Sequence, residues 1–280
     1  MSYLESNKLI KNTQFGFRKK HSTQLAITLL TDKIRRNTDK GLLTGAVYID
    51  LSKAFDTVSH ASLLNKLPSY GIKSVELEWF TNYLFQRSQV VSFGGIVSEK
   101  CDVTSGVPQG SILGPILFII HLNDLDDKLN QVDIIKYADD TVIITSGKTS
   151  SEIENILTKQ MGSIAKWLKE NDLIINLSKG KTETMIFGSN RSIKGQSLEV
   201  YFNDKIIHFT DHYNYLGVLL DQSLSFTKHF QNSFKKASGR LRLMEKIRPS
   251  LNIDAAESIY KSMIVPLLTY SSIITLNLNN

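Results

Sequence analysis

The feature that most constrains the fold is the run Leu43–Leu51, which is apolar almost throughout and is interrupted near its end by Asp50. A near-continuous apolar run bounded by polar residues is typical of a strand buried on both faces of a sheet. Asp56 follows shortly and is predicted to cap a helix that continues to Leu67. The segment therefore predicts a buried strand followed by a helix, with a carboxylate at the end of the strand.

A second acidic site lies between two short β-rich runs, Ile134–Ala138 and Thr141–Thr145. Short β-rich runs joined by two polar residues predict a hairpin, with Asp139 and Asp140 at its tip. Taken alone, the pair is better explained as an ordinary acidic turn. The surrounding sequence is needed to judge whether the acidic pair has a catalytic role.

The order of the remaining elements predicts an α+β fold. The predicted helices and strands outside the two segments above are a helix over Thr23–Arg36, a helix over Pro115–Leu125, a helix opened by a Ser151/Glu154 capping box and ending near Asn171, and strands over Leu173–Leu177 and Thr184–Phe187. From Leu43 onward this is a split β-α-β arrangement of the ferredoxin-like kind. In that topology the first strand lies beside the hairpin, so Asp50 is expected to approach Asp139 and Asp140.

Composition sets only broad limits on function. The 280 residues are 41% apolar, enough to form one large domain or two to three subdomains. A net charge of +6 permits a nucleic-acid partner without requiring one, and the single cysteine, Cys101, excludes an internal disulfide framework. The apolar stretches Ile112–Ile120 and Met263–Leu276 are too short to span a bilayer and are interpreted as core. With no apolar run near its start that could serve as a signal peptide, the chain is expected to be intracellular, with no membrane partner.

The segment Phe226–Arg248 has two stripes at helical spacing. The apolar stripe consists of Phe226, Phe230, Phe234, Ala237, Leu241 and Met244. The basic stripe, roughly opposite, consists of Lys228, Lys235, Arg242 and Lys246. One face is predicted to pack and the other to contact phosphates along a duplex, although a merely solvated basic face stays open.

Convergent carboxylates suit nucleotidyl transfer, because two divalent ions about 4 Å apart neutralise phosphate charge and activate the attacking hydroxyl. Such hard cations prefer carboxylate oxygens. Asp50 and Asp139 are the expected shared ligands, and Asp140 is expected to ligate less directly or to hold its neighbour in place.

Six strings in this order carry a family resemblance. They are Gln14-Phe-Gly-Phe-Arg18 with His21-Ser22-Thr23, Ile49-Asp-Leu-Ser-Lys-Ala-Phe-Asp56, Ser105-Gly-Val-Pro-Gln-Gly-Ser-Ile-Leu-Gly-Pro115, Tyr137-Ala-Asp-Asp-Thr141, the segment Asn176 to Thr182, and Tyr215-Leu-Gly217. The chain resembles the reverse transcriptases of non-LTR retrotransposons of the LINE type over nearly its whole length.

The resemblance implies a right-hand polymerase with partial fingers (1–42), a ferredoxin-like palm (43–222) and the start of a helical thumb (223–280). It implies RNA-directed DNA synthesis in retrotransposition, with an RNA template, a DNA primer, deoxynucleoside triphosphates and two Mg²⁺ ions, for which Mn²⁺ can substitute. Target-primed synthesis would place the chain in the nucleus. The oligomeric state stays open.

The resemblance also implies residue roles. The catalytic and metal-binding triad is Asp50, Asp139 and Asp140, with Lys181 as the candidate general acid and Lys179 close enough to compete for that role. The nucleotide-binding residues are Arg18, as a triphosphate clamp, Leu51, Phe55, as the residue that excludes a 2′ hydroxyl, and Gln109. The template-primer residues are Gly110, the primer-grip residues Tyr215, Leu216 and Gly217, and the basic stripe. Without the resemblance, Phe55 reads as a core aromatic, Arg18 as a solvated charge and 105–114 as a tight turn, while Asp56 and His60 are given structural roles.

Three alternatives remain. Two share the carboxylate arrangement: a viral-type RNA-dependent RNA polymerase, which Phe55 disfavours, and an intron-encoded reverse transcriptase, which the string from Asp50 to Thr57 disfavours. The third is a catalytically weak or inactive transposon fragment that only binds nucleic acid. Of the finger segment that precedes the Gln14 string in the family, only the last turn has a counterpart here, in Tyr3–Ile10. Arg18 is therefore expected to be poorly held, and extension by this chain is expected to be weak.

Overall fold

The computed structural model describes residues 1–272, which form nine α-helices within that range. The helices in chain order are α1 (Ser2–Ser6), α2 (Thr23–Asp39), α3 (His60–Lys66), α4 (Ser74–Leu84), α5 (Leu113–Leu122), α6 (Ser150–Glu170), α7 (Thr227–Ile247), α8 (Ile253–Ile259) and α9 (Val265–Thr269). Short 3₁₀ segments follow α3 (Leu67–Tyr70), α5 (Asn123–Lys128) and α7 (Arg248–Ser250), and a π-helical turn (Tyr260–Ile264) joins α8 to α9.

The strands build one central sheet and four two-stranded ribbons in the described part of the chain. They are β1 (Leu43–Ile49), β2 (Arg87–Gln89), β3 (Ser92–Phe93), β4 (Ile96–Val97), β5 (Cys101–Val103), β6 (Asp133–Tyr137), β7 (Asp140–Gly147), β8 (Glu183–Phe187), β9 (Tyr201–Phe202), β10 (Lys205–Ile206), β11 (His208–Phe209), β12 (His212–Tyr215) and β13 (Val218–Asp221). The ribbons pair β2 with β5, β3 with β4, β9 with β10 and β12 with β13.

The central sheet has the order β11-β8-β1-β7-β6, so β1 lies directly beside the β6–β7 hairpin. All its pairings are antiparallel except β11 with β8. Every residue of β1 is buried, as its apolar run predicts. The predicted hairpin and its place next to the first strand are confirmed.

The two faces of β1 contribute to separate hydrophobic cores, because successive side chains of a strand point to opposite faces. Val47 and Ile49 belong to the core that includes α6, whose Trp167 is only 1% exposed. Ala46 and Tyr48 belong to the core that includes α2 and the β12–β13 hairpin. The sheet is therefore fixed from both sides.

Two predicted helix caps are wrong by two or three residues. Ser59, rather than Asp56, caps α3 by accepting from the backbone N–H of Ser62. Thr149, rather than Ser151, caps α6 and accepts from the N–H of Glu152. Glu152 in turn accepts from the N–H of Lys148, the residue before the cap, so the helix start is stabilised two residues earlier than predicted.

The predicted strand over Leu173–Leu177 does not form. Only an isolated antiparallel bridge joins Ile175 to Leu51, although Leu173 is buried in the core. The chain here spans a short loop between α6 and β8. Its backbone partners are Ser52, whose N–H bonds the carbonyl of Ile174, and Asp50, whose carbonyl accepts from Asn176.

The apolar stripe of α7 packs only in part. Phe226 and Ala237 are buried, but Phe234 is 61% exposed and Leu241 is also exposed. The stretch Ile112–Ile120 is core except for Ile112, which is exposed. Within Met263–Leu276, Ile264 is buried, but Met263, Leu268 and Tyr270 are exposed, and 273–276 lie outside the described residues. None of the helices in 1–272 combines the length and apolarity needed to cross a membrane.

Candidate active site

Asp50 lies at the carboxyl end of β1 and its backbone is held on both sides. Its N–H donates to the Thr182 hydroxyl at 3.1 Å, and its carbonyl accepts from the N–H of Asn176 at 2.9 Å. Its carboxylate Oδ1 lies 3.5 Å from the Nζ of Lys181. The segment between α6 and β8 therefore holds the Asp50 backbone in place and brings the Lys181 ammonium near its carboxylate.

The acidic pair occupies the turn of the β6–β7 hairpin. Ala138 adopts a left-handed conformation (φ 57°), which lets the chain reverse, and Tyr137 then pairs with Asp140. The register pairs Ile49 of β1 with Thr141 of β7. Asp50 and Asp140 are the next residues along these two antiparallel strands, so the three carboxylates meet at one end of the sheet.

The carboxylates repel one another. Burial and the charges of Asp139 and Asp50 raise the pKa of Asp140 to about 6, and the Lys181 ammonium partly offsets this. Burial, followed by the Asp50 charge, also raises the pKa of Asp139, against a backbone hydrogen bond that lowers it. The site concentrates negative charge beyond what one lysine balances.

The donor set fits divalent cations by its chemistry, because carboxylate oxygens are the ligands that hard cations prefer. A bound cation would relieve the repulsion that raises the two pKa values. As the side chains stand, no three carboxylate, imidazole or thiolate groups among residues 1–272 are close enough to hold one ion together. The strand register thus brings the three aspartates to one end of the sheet, as expected, and they lie close enough for their charges to raise the pKa of Asp139 and of Asp140.

Gln14 supports the acidic turn, a role that reading the sequence missed. Its side chain is buried, and its amide oxygen accepts from the N–H of Gly16 at 2.8 Å and from that of Ala138 at 3.0 Å. A Cβ at Gly16 would lie 2.3 Å from the Ala138 nitrogen, so only glycine fits. The string Gln14-Phe-Gly-Phe-Arg18 marks Gln14 as a residue of interest, but its partner Ala138 is 124 positions away and cannot be identified from the sequence.

Phe55 stands at the edge of the core. It is half-buried, stacks on Phe118 with ring centroids 4.1 Å apart, and meets Phe17 edge-on. The Val107 N–H donates to its carbonyl, which ties it to the glycine-rich loop 105–114. Leu51 is buried in the core, so no exposed side chain is available there for the predicted nucleotide contact.

The glycine-rich loop is anchored to the segment that contains Phe55. Gln109 is exposed and donates through Nε2 to the Asp56 carboxylate at 2.8 Å. His60 Nε2 lies 2.7 Å from the carbonyl of Gly106, so the predicted supporting role of His60 is confirmed. Gly110 has a positive φ of 78° and open space where a side chain would lie, consistent with a backbone exposed to a ligand.

Arg18 is held firmly, contrary to expectation. Its guanidinium forms two hydrogen bonds to the Glu5 carboxylate, at 2.8 and 2.7 Å, and two more to the carbonyls of Lys11 and Gln14. Its side chain is only 6% exposed. The N-terminal helix α1 thus provides an anchor that was not predicted from the sequence, and Arg18 has no free face for a triphosphate in this conformation.

The hairpin formed by β12 and β13 turns through Leu216 and Gly217, which both have positive φ. Tyr215 is buried, whereas Gly217 is exposed. The hydroxyl of Tyr270 lies 2.6 Å from the carbonyl of Leu216 and donates to it, covering the turn. The four residues of the basic stripe on α7, Lys228, Lys235, Arg242 and Lys246, are all exposed.

The family to which a chain with this fold and acidic site belongs is shown by its similarity to known proteins. The family described as reverse transcriptase (RNA-dependent DNA polymerase) matches residues 1–220. The chain belongs to the reverse transcriptase family. Within it, this reverse transcriptase domain is of the non-LTR type, as its relatives show.

Among those relatives are two proteins described as RNA-directed DNA polymerase from mobile element jockey. The Drosophila melanogaster protein is 30% identical over 94% of this chain and 29% of its own length. The Drosophila funebris protein is 29% identical over 95% of the chain and 30% of its own length. The reverse transcriptase domain therefore spans less than a third of these relatives.

Solved structures agree on the fold. Apo telomerase from Candida tropicalis superposes with a TM-score of 0.55 at 11% identity, covering 80% of this chain and 39% of that one. Telomerase from Candida albicans, in complex with a fragment of telomeric RNA, gives 0.53 at 12% identity, covering 96% and 48%. These likenesses support an α+β polymerase fold for the reverse transcriptase domain.

Proposed function

We propose that this chain is the polymerase core of an RNA-directed DNA polymerase, which adds deoxynucleotides to the 3′ hydroxyl of a DNA primer on an RNA template during retrotransposition. The observation that supports it best is the placement of Asp50 beside the Asp139–Asp140 turn. The family match over residues 1–220 includes the whole of the central sheet that carries these residues. Synthesis primed at a chromosomal target would take place in the nucleus.

Asp50 and Asp139 would hold two Mg²⁺ ions between them, with Asp140 ligating less directly; Mn²⁺ would substitute in the test tube. When bound, the ions neutralise phosphate charge and lower the pKa of the primer hydroxyl. The chain's own contribution is to fix the ligands in advance. Thr182 and Asn176 hold Asp50, and Gln14 holds the turn that precedes Asp139.

Lys181 is the candidate general acid that protonates the leaving pyrophosphate. Its ammonium is half-exposed and lies 3.5 Å from Asp50, so it reaches the site while remaining open to a ligand. Lys179 competes for the role by sequence, but in the described part of the chain no ion pair joins it to a carboxylate. The geometry favours Lys181.

Nucleotide selection would fall to Phe55 and Gln109, with Leu51 contributing through its backbone. Phe55 is braced by Phe118 and so presents a rigid edge where a ribose 2′ hydroxyl would clash. The hydrogen bond from Gln109 to Asp56 keeps the glycine-rich loop beside it. Arg18 would clamp the triphosphate only after its ion pair with Glu5 opened.

Template and primer would lie across Gly110, the primer-grip residues Tyr215, Leu216 and Gly217, and the exposed basic stripe of α7, whose cations suit phosphates. In this scheme residues 1–42 are partial fingers, 43–222 the palm and 223–280 the start of a thumb. The central sheet, from Leu43 to Phe209, falls within that palm.

A second candidate, a fragment that binds nucleic acid without efficient catalysis, is favoured by one observation: Arg18 is sequestered by Glu5. Primer extension separates the two. The purified chain is given a 5′-labelled DNA primer on an RNA template with dNTPs, with Mg²⁺ or with EDTA, and hybrid binding is measured in parallel. Mg²⁺-dependent extension supports the polymerase; salt-dependent binding without extension supports the binding fragment.

A further inference from the structure

A stack of tyrosines joins the β12–β13 hairpin to the strand that carries Asp50. Tyr213 of β12 stacks on Tyr48 of β1, with ring centroids 3.9 Å apart and ring planes 11° from parallel. Tyr215 meets Tyr48 at 5.6 Å in a tilted arrangement. Tyr48 lies two residues before Asp50, so the hairpin rests against the base of the acidic site.

The hydroxyl of Tyr213 reaches beyond the stack. It donates a hydrogen bond of 3.0 Å to the backbone carbonyl of Lys181. Lys181 lies in an exposed turn whose other backbone bonds are local: its own N–H bonds the Ser178 carbonyl, and the N–H of Gly180 bonds Glu183. Among the described residues, Tyr213 is the one side chain from a distant part of the chain that bonds the backbone of 178–181.

The neighbouring tyrosines do not share this feature. The hydroxyls of Tyr48 and Tyr215 are buried and have no hydrogen-bond partner within the part of the chain that the structure describes. Tyr48 and Tyr215 therefore contribute to this cluster through their aromatic rings and not through their hydroxyls. The hydroxyl of Tyr213 differs because it has a specific acceptor, and that acceptor belongs to the residue whose ammonium lies beside Asp50.

We propose that Tyr213 is a positioning residue, which holds the Lys181 turn against the acidic site through its hydroxyl and so couples the β12–β13 hairpin to the candidate general acid. This inference rests on the proposed role of Lys181. Without the bond, the exposed turn retains only its local contacts, and the lysine spends less time at the distance from which it can reach a leaving group.

The test compares Tyr213→Phe with Tyr48→Phe, since each keeps its ring and loses one hydroxyl. Single-turnover extension at saturating dNTP is expected to slow about threefold to tenfold in Tyr213→Phe, the range expected for one lost hydrogen bond. Tyr48→Phe is expected to stay within about twofold, because its hydroxyl has no partner. Hybrid affinity is expected to be unchanged in both. An equal rate for Tyr213→Phe and wild type overturns the proposal.

A double-mutant cycle with Lys181→Ala distinguishes positioning from a general structural effect. If Tyr213 acts through Lys181, Tyr213→Phe has little further effect once the lysine is removed. The same slowing in both backgrounds contradicts the proposal.

A readout without activity separates this inference from the proposed function. In protein labelled with carbonyl ¹³C at lysine, the Lys181 resonance is expected to move in Tyr213→Phe and to stay in place in Tyr48→Phe. If the wild-type chain extends no primer, the proposed function is wrong, while the Lys181 carbonyl resonance still tests the hydrogen bond from Tyr213. An unmoved Lys181 resonance in Tyr213→Phe overturns the positioning role whatever the activity.

Discussion

The side-chain oxygen of Gln14 lies 3.0 Å from the backbone nitrogen of Ala138, which immediately precedes Asp139. The two residues are 124 positions apart in sequence, yet they share one buried hydrogen bond. The N-terminal segment is thereby fastened to the acidic turn. The backbone N–H of Phe15 reinforces the junction by donating to the carbonyl of Lys136 at 2.7 Å.

Gln14→Leu is therefore expected to destabilise the fold. It removes the acceptor of two buried N–H groups, at a cost of about 1–3 kcal/mol in the free energy of unfolding. Urea denaturation measures the difference. Gln24→Leu, at an exposed position of α2, is the matched control and is expected to change stability by less than about 0.5 kcal/mol. Equal stability of the two variants would show that the Gln14 bond is dispensable.

The ion pair of Glu5 with Arg18 gives a second stability prediction. Glu5→Ala leaves the nearly buried guanidinium without its carboxylate, and we expect a loss of about 1–3 kcal/mol. The pair of Asp32 with Arg36 is exposed, so Asp32→Ala is expected to cost less than about 1 kcal/mol. Thermal unfolding of both variants checks the contrast. A loss for Glu5→Ala no larger than that for Asp32→Ala would mean that α1 does not anchor Arg18.

The fold was largely predictable because its signals are local. The apolar run of β1 and the β-rich runs on either side of Asp139 are patterns of consecutive residues, so they can be recognised without knowledge of the fold. These runs form the neighbouring strands β1, β6 and β7 of the central sheet. The helix caps were misplaced because several residues near each helix start can cap, and Ser59 and Thr149 prevail only in the folded chain.

The supporting residues of the site were harder to predict. Gln14, Glu5 and Tyr213 act through partners that the fold brings from elsewhere in the chain. Nothing adjacent to them in sequence identifies those partners. The apolar stripe of α7 failed as a packing prediction for a related reason: helical spacing shows that a face is apolar, but only the neighbouring elements decide how much of it is covered.

The raised pKa values predict how stability depends on pH in the absence of metal. Asp140 binds a proton more tightly in the folded chain, with a pKa of about 6, than in the unfolded chain, so folding is favoured as pH falls from about 7 towards 4. Asp140→Asn removes the repulsion and is expected to raise the melting temperature at pH 7.5 in EDTA by about 2 °C, a modest gain because solvent still reaches the partly buried carboxylate and screens its charge. The difference from wild type is expected to shrink near pH 4. A lower melting temperature at pH 7.5 would contradict the mutual repulsion.

Phe55 gives a prediction for sugar selection. Phe55→Val shortens the side chain at the proposed 2′ position, and discrimination between dNTP and NTP, measured as the ratio of kcat/KM, is expected to fall by about tenfold or more. Phe80→Val, which removes a half-buried aromatic of α4 packed against the same core, is the control for general loosening. If discrimination is unchanged in Phe55→Val, the residue serves only the core.

We propose that the carboxylates at the end of β1 and in the β6–β7 turn carry out metal-dependent nucleotidyl transfer, and Asp139→Asn removes one of these carboxylates. Single-turnover extension of a DNA primer on an RNA template is measured with Mg²⁺ for this variant and for Asp204→Asn, which changes an exposed aspartate in the turn between β9 and β10. Extension by Asp139→Asn is expected to be abolished while its hybrid affinity stays within a few fold, because phosphate contacts elsewhere dominate binding. Asp204→Asn is expected to behave as wild type. Extension by Asp139→Asn at the wild-type rate would remove the acidic turn from the mechanism and contradict the account.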